Sequence, residues 1–219
     1  MKLSNERLAK ANNLWVLAFY LSGGIQLNKK DMRQTMLSTL RKLNQVDYLK
    51  RSRVIQDRLM TLNVVKNAQT IALTMSNFPE VETREIITYL WNNQKIVLVP
   101  KCDVKLKKMH FYKIESFDQL EIVYAGIEEP IPSITEEMLP HEIDLLIVPG
   151  VLFNREGYRI GFGGGYYDRF LQTFKGETLS LAFDEQINQD IPIEIHDLPV
   201  DIIVTDQKVI DCKEVRHHG

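Results

Sequence analysis

The sequence predicts an α/β fold in which a mostly parallel sheet is covered by helices on both faces. Three observations predict it. From residue 70 onward, short runs rich in β-branched residues alternate with helical stretches. Several of those runs are near-continuous Ile, Leu and Val, as strands buried on both faces must be. Five of the eleven glycines fall within nine residues, between the strongest of these runs and a helix. No internal repeat, charge block or Pro/Ser-rich linker divides residues 28–219, so one domain is expected there, with 1–27 as an N-terminal extension of unassigned role.

The elements follow in order. Residues 14–21 (LWVLAFYL) form an apolar run too short for a bilayer, which needs about 20 residues. Basic residues before it and Ser22-Gly23-Gly24 after it allow a weak secretory signal, but no Ala-x-Ala site follows, and an extra amphipathic helix or a non-native leader are the other readings. Met32, Met36, Leu40 and Leu43 recur at helical spacing and predict a helix over 29–43, with a second over 47–62. Strands are expected at 70–75, 95–100, 109–114, 143–148, 179–183 and 200–205, and helices at 82–93 and 166–174. In such sheets ligands bind at the loops beyond the carboxyl ends of the strands.

The 219 residues are 44% hydrophobic and 26% charged, a composition that excludes disordered, collagen-like and low-complexity chains and permits a packed core. The net charge of −2 conceals an asymmetry: residues 28–58 hold nine Lys/Arg against three Asp/Glu and 1–27 carry +2, which leaves −10 for 59–219. A basic segment is attached to an acidic body. Two cysteines, Cys102 and Cys212, provide neither a disulfide framework nor a CxxC pair, so reduced thiols in a cytoplasmic protein are expected. The five histidines include no metal-spaced pair, and neither Gly-x-Ser-x-Gly nor His-Glu-x-x-His occurs, which disfavours zinc hydrolysis and serine-nucleophile chemistry.

The glycine loop holds Gly157, Gly161, Gly163, Gly164 and Gly165. Glycine allows close backbone approach to a ligand, and a loop that feeds a helix start presents unpaired N–H groups, so phosphate is the expected guest. The loop is not a Walker A motif, having no Gly-Lys-Ser/Thr. It is not the Rossmann fingerprint either, because Tyr166 stands where the last glycine is needed. A tightly turning connection with no ligand remains the alternative. Arg159 suits a bidentate grip on phosphate. Asp168 suits either Mg²⁺ or the helix dipole, and Tyr166 and Tyr167 could simply pack at the helix start.

Taken together, Pro149-Gly150-Val151-Leu152-Phe153 and Gly157-Tyr158-Arg159-Ile160-Gly161-Phe162-Gly163-Gly164-Gly165-Tyr166-Tyr167-Asp168 resemble the motif of the 5-formyltetrahydrofolate cyclo-ligase family. Three further stretches resemble it in the right order: Lys29 to Arg33 as Lys-x-x-x-Arg, Pro79-Glu80-Val81-Glu82-Thr83, and His196-Asp197-Leu198-Pro199-Val200-Asp201. The resemblance covers roughly residues 28–206. Asn154 departs from a usual Asp, and Ile160 from a usual Leu.

The resemblance implies a three-layer α/β/α domain similar to the sugar-phosphate isomerase and CoA-transferase group. It also implies an ATP- and Mg²⁺-dependent cyclisation of 5-formyltetrahydrofolate to 5,10-methenyltetrahydrofolate that releases ADP and phosphate. In that reaction the formyl oxygen attacks the γ-phosphate, and N10 then closes on the imidate phosphate. By resemblance, Arg159, Lys29 and Arg33 carry the catalysis. ATP is bound by Lys29, Lys30, Asp31, Met32, Arg33, Arg159, Ile160, Gly161, Phe162, Gly163, Gly164, Gly165, Tyr166 and Tyr167. The folate, polyglutamylated or not, is bound by Met75, Glu80 and Phe162 to Tyr166, the loop touching both substrates because formyl group and γ-phosphate must meet. Asp168 and Asp197 would hold Mg²⁺, a pairing that rests on the resemblance alone. A monomer with no nucleic-acid or membrane partner is expected.

Plainer readings exist for each: a solvated basic face for Lys29 and Arg33, an exposed turn acid for Glu80, a core methionine for Met75. The basic segment also suits a non-catalytic nucleotide- or RNA-binding module, and a sugar-phosphate isomerase indifferent to ATP is a third possibility. The enzyme reading expects Arg159→Ala and Asp168→Ala each to lower turnover by orders of magnitude with the fold intact.

Overall fold

A computed structural model describes residues 28–218; the apolar run at 14–21 lies outside them. Asn28 and Asn44 each accept a hydrogen bond from the N–H three residues on, Asp31 and Asp47, and so cap α1 (Lys29–Leu40) and α2 (Gln45–Leu59). Those caps explain the departures from the expected bounds. The second helix begins at its asparagine cap rather than at 47, and the first ends in tight turns, Lys42 N–H to Thr39 and Leu43 N–H to Leu40, that lead into that cap.

The chain continues through α3 (Asn63–Asn67), β1 (Thr70–Ala72), α4 (Arg84–Asn92), β2 (Ile96–Asp103), β3 (Lys108–Ile114), β4 (Leu120–Ile122), β5 (Glu128–Pro130) and β6 (Glu136–Met138). Then come β7 (Leu145–Ile147), β8 (Leu152–Phe153), β9 (Arg159–Ile160), α5 (Tyr166–Leu171), β10 (Glu177–Ala182), β11 (Ile202–Thr205), β12 (Val209–Asp211) and α6 (Cys212–His218). Eight strands form one sheet in the order β12-β11-β10-β7-β1-β2-β3-β6. The five from β11 to β2 are parallel, and antiparallel strands finish both edges.

Side chains alternate across this sheet. Ile71, Val97, Val99, Leu145, Ile147, Leu179 and Val204 pack with α1 to α4, while Ala72, Leu98, Leu146, Val148, Ala182 and Ile203 pack with α5 and α6. Both faces are therefore covered, which makes three layers, and a slip of one residue in any central strand would exchange its two sets of contacts. The expected elements are all present with shifted ends. β1 stops at Ala72 because, after one more bond from Leu73 N–H to Leu98, the chain turns away toward Thr74 and Met75. β2 passes Pro100 and ends at Asp103, since beyond Leu98 its only ladder partner is β3 and a missing N–H on the other side costs nothing. The hairpins β4–β5 and β8–β9, β6, β12, α3 and α6 were not expected; the strands among them are two or three residues long and the helices five and seven, too short to show a period. Among the described residues no helix is long and apolar enough to cross a membrane.

Candidate active site

A cleft of about 820 Å³ opens where the parallel strands end. One wall is α1, which contributes Lys29, Arg33, Leu37 and Arg41 at a strict spacing of four and hence from one helix face. The segment after β1 contributes Met75, Phe78, Pro79 and Glu80, and β2 contributes Pro100 and Cys102. The glycine loop from Arg159 to Asp168 and the turn with Glu194, His196 and Asp197 close it. Most of the residues singled out in the sequence thus meet in one cavity. Lys30 and Asp31 are exposed and do not line it, Asp31 being engaged by the Asn28 cap, and Met32 is buried in the core against the sheet.

Arg159 sits at the centre of the charges. Its side chain is only 3% exposed, and it donates to Asp168 Oδ1 at 2.7 Å and to the Leu198 carbonyl at 2.8 Å. Burial works against its charge, and Asp168, Tyr167 and Asp197 counter that effect. Arg159 therefore lies within electrostatic reach of both carboxylates, which β10 separates from each other along the chain. Lys29 Nζ lies 2.6 Å from Asp197 Oδ2 and 3.3 Å from Glu194. Burial opposes the charge on Asp197, but hydrogen bonds from Lys29 and from the Glu194 N–H outweigh it and hold this carboxyl below its ordinary value. Arg33 donates from Nε to the Gly161 carbonyl at 2.7 Å, which fastens α1 to the loop.

The glycines divide into two kinds. Gly163 has φ +104°, and a Cβ there would sit 3.3 Å from the Arg33 guanidinium, whereas a Cβ on Gly161 would meet nothing within 4 Å. Gly157 is not in the cleft. It has φ +94° in the β8–β9 turn, where a Cβ would be driven to 2.2 Å from the Val200 carbonyl. Asn154 belongs to the same turn, its Oδ1 accepting from Tyr158 N–H at 2.9 Å. An Asp could accept that bond equally well, so this departure from the family's usual residue leaves the cleft untouched.

Glu80, which lines the same cleft, accepts from the Asn77 N–H at 3.0 Å, and burial pushes its carboxyl up to about 7. Its main-chain carbonyl accepts from Tyr48 Oη at 2.8 Å, which ties this turn to α2. Met75 is buried, and the Cys102 thiol is pushed up to about 11, chiefly by burial. Sequence reasoning missed Leu37, Arg41, Phe78, Cys102, Tyr124, Glu194 and His196. The spacing of four after Lys29 and Arg33 could have pointed to Leu37 and Arg41. Nothing local could have pointed to the others, because they arrive from separate segments.

The carboxylates at 168 and 197 offer hard oxygen donors of the type Mg²⁺ takes, and Glu194, His196 and Asp197 could also converge on a cation, their ligand atoms lying within 4.8 Å of one another. In the ligand-free geometry Arg159 and Lys29 neutralise those acids.

Comparison with known proteins agrees with this arrangement. The model of the 5-formyltetrahydrofolate cyclo-ligase family matches residues 25–206. The chain is 30% identical over 187 residues to the mouse 5-formyltetrahydrofolate cyclo-ligase, covering 80% of this chain and 92% of the relative. It is 32% identical over 156 residues to the Escherichia coli K12 protein of the same name, covering 69% and 86%. Among solved structures, the Aquifex aeolicus 5,10-methenyltetrahydrofolate synthetase superposes with a TM-score of 0.75 at 30% identity, covering 84% of this chain and 93% of that one.

Proposed function

The chain belongs to the 5-formyltetrahydrofolate cyclo-ligase family, and on that footing we propose that it cyclises 5-formyltetrahydrofolate to 5,10-methenyltetrahydrofolate at the expense of ATP, releasing ADP and phosphate. The observation that carries this reading is the meeting of two unlike groups in one cleft. The cations Lys29, Arg33 and Arg159 gather at the glycine loop, and a half-buried carboxyl, Glu80, lines the same cleft.

The chemistry follows from that division. A formamide is a poor electrophile and hydroxide a poor leaving group, so the formyl oxygen must be activated. It attacks the γ-phosphorus as the bond to ADP breaks; N10 then forms its bond to the formyl carbon, and the oxygen departs with phosphate. Such transfers ask a protein for positioning and for positive charge against developing negative charge. Arg33 and the backbone of Gly161 to Gly165 hold the phosphates close to α1, and Arg159 supplies a fixed, desolvated charge beside them. Glu80 as a carboxylate pairs with pterin N–H groups. Lys29 exchanges Asp197 for phosphate oxygens. Asp168 and Asp197 would hold Mg²⁺, which when bound neutralises phosphate charge.

The basic segment supports the enzyme over the RNA-binding module. Lys29 is paired with Asp197, Arg51 with Glu185 and Asp206, Arg53 with Asp57 and Glu85, and Arg58 donates to the Thr205 carbonyl, so much of that charge is engaged within the fold. We further assign the chain to the cytoplasm as a monomer with no nucleic-acid or membrane partner. The test is a spectrophotometric assay with 5-formyltetrahydrofolate and Mg²⁺, with and without ATP. ATP-dependent growth of the near-ultraviolet band of the methenyl product is expected; folded protein that yields no band overturns the reading.

A further inference from the structure

Among the described residues, one buried side-chain polar atom has no hydrogen-bond partner: the hydroxyl oxygen of Tyr167. A buried hydroxyl left unpaired costs on the order of 1–3 kcal/mol, so its retention calls for a reason. Packing supplies none. The neighbouring core is built of phenylalanines, Phe111 and Phe170 with centroids 5.0 Å apart, and a Phe would fill the same space. The next tyrosine back differs, for Tyr166 already has the Arg169 guanidinium 5.2 Å over its ring.

Tyr167 lines the cleft. Its hydroxyl is within electrostatic reach of Glu80, Cys102 and Arg159, and burial keeps it protonated far above neutral pH, so it is available as a donor. Glu80 and Tyr167 share the cleft lining with Met75, Pro100, Cys102 and Met109 and with the polar Thr74 and Asn77. The phosphate-facing groups Lys29 and Arg33 are fastened elsewhere, to Asp197 and Gly161. A neutral phenol beside Glu80 suits a neutral acceptor, and charged phosphate oxygens are matched by Lys29, Arg33 and Arg159.

We propose that the Tyr167 hydroxyl donates a hydrogen bond to a carbonyl oxygen of the bound tetrahydrofolate and makes no contact with the nucleotide, in place of the ATP contact that the family resemblance implies for this residue. The proposal rests on the cyclo-ligase reading and adds to it a folate-recognising group. Three neutral carbonyls share the required chemistry: the 5-formyl oxygen, the pterin oxygen and the benzoylglutamate amide oxygen.

The experiment compares wild type with Tyr167→Phe in three measurements: equilibrium Kd for 5-formyl- and for 5-methyltetrahydrofolate, KM for ATP, and the melting temperature without ligand. Expected are a Kd for 5-formyltetrahydrofolate raised about tenfold, an unchanged KM for ATP, and a melting temperature unchanged or higher because an unpaired buried group is gone. A weakening shared by the 5-methyl compound identifies the pterin or the amide oxygen, and one confined to the 5-formyl compound identifies the formyl oxygen; either supports the proposal. Unchanged folate affinity, a change in KM for ATP alone, or a lower melting temperature, which would mean that the hydroxyl already has a protein partner, overturns it. Wild-type protein that binds folate without turning it over fails the reaction and leaves the Kd comparison valid; wild type that binds no folate overturns both.

Discussion

Lys29 Nζ and Asp197 Oδ2 lie 2.6 Å apart although 168 positions separate them in the chain. This contact closes the last turn of the cleft onto the first helix and places a removable cation on an acid suited to a metal. Replacing Lys29 with Ala should lower kcat/KM about 10²-fold, chiefly by raising KM for ATP. It should also let the Asp197 carboxyl rise. A carboxyl held below its unfolded value contributes stability that is full above that value and lost as pH falls through the folded one. Urea titrations in the acid range should therefore show a shallower acid-side loss in Lys29→Ala than in wild type.

Arg159 and Asp168 should respond differently to substitution. Arg159→Ala leaves Asp168 and the Leu198 carbonyl without their donor in a site only 3% exposed, so it should cost about 2–4 kcal/mol of stability as well as orders of magnitude in turnover. The expectation of an intact fold applies better to Asp168, which is 32% exposed. Asp168→Asn keeps an acceptor for Arg159 and should lower turnover about 10²–10³-fold with little change in the melting temperature. Wild-type rates for Asp168→Asn would remove this residue from the chemistry.

Glu80 gives a pH dependence of the opposite sense to Asp197. Burial raises its folded value to about 7 from 4.5, so the folded state binds more protons than the unfolded state between those values, and stability falls as pH rises through that window. Glu80→Gln should remove that fall, stabilising the ligand-free protein by up to about 3 kcal/mol at pH 8 relative to wild type, while weakening folate binding. In wild type the folate KM should rise as pH drops below about 7, because the carboxylate that pairs with pterin N–H groups is being protonated.

Three glycines separate fold from function. Gly157→Ala meets the Val200 carbonyl at 2.2 Å, a backbone atom that cannot swing aside, and should cost about 2 kcal/mol or more in denaturant melts. Gly163→Ala combines a positive φ with displacement of the Arg33 guanidinium and should lose about 1–2 kcal/mol together with activity. Gly161→Ala meets nothing in the ligand-free protein, so it should melt like wild type; any loss of turnover then reports on the space a ligand occupies.

Local sequence was enough to establish the alternation of strands and helices from residue 70 and the coverage of both sheet faces, and to mark the glycine loop as a candidate ligand site, because period, β-branching and glycine clustering are local properties. It also carried the family resemblance through four ordered motifs, since a glycine-rich loop of such length is rarely matched by chance. Only the tertiary structure decided which glycine serves the fold and which the cleft: Gly157 and Gly163 look alike in sequence and differ in facing Val200 or Arg33. It also decided that Asp168 and Asp197 flank one buried arginine, and that Tyr167 keeps a hydroxyl with no partner among the described residues. Those facts depend on separate segments of the chain packing at one end of a sheet. Burial, which sets the charge state of Glu80 and Arg159, is a property of that packing and is not encoded at either residue alone.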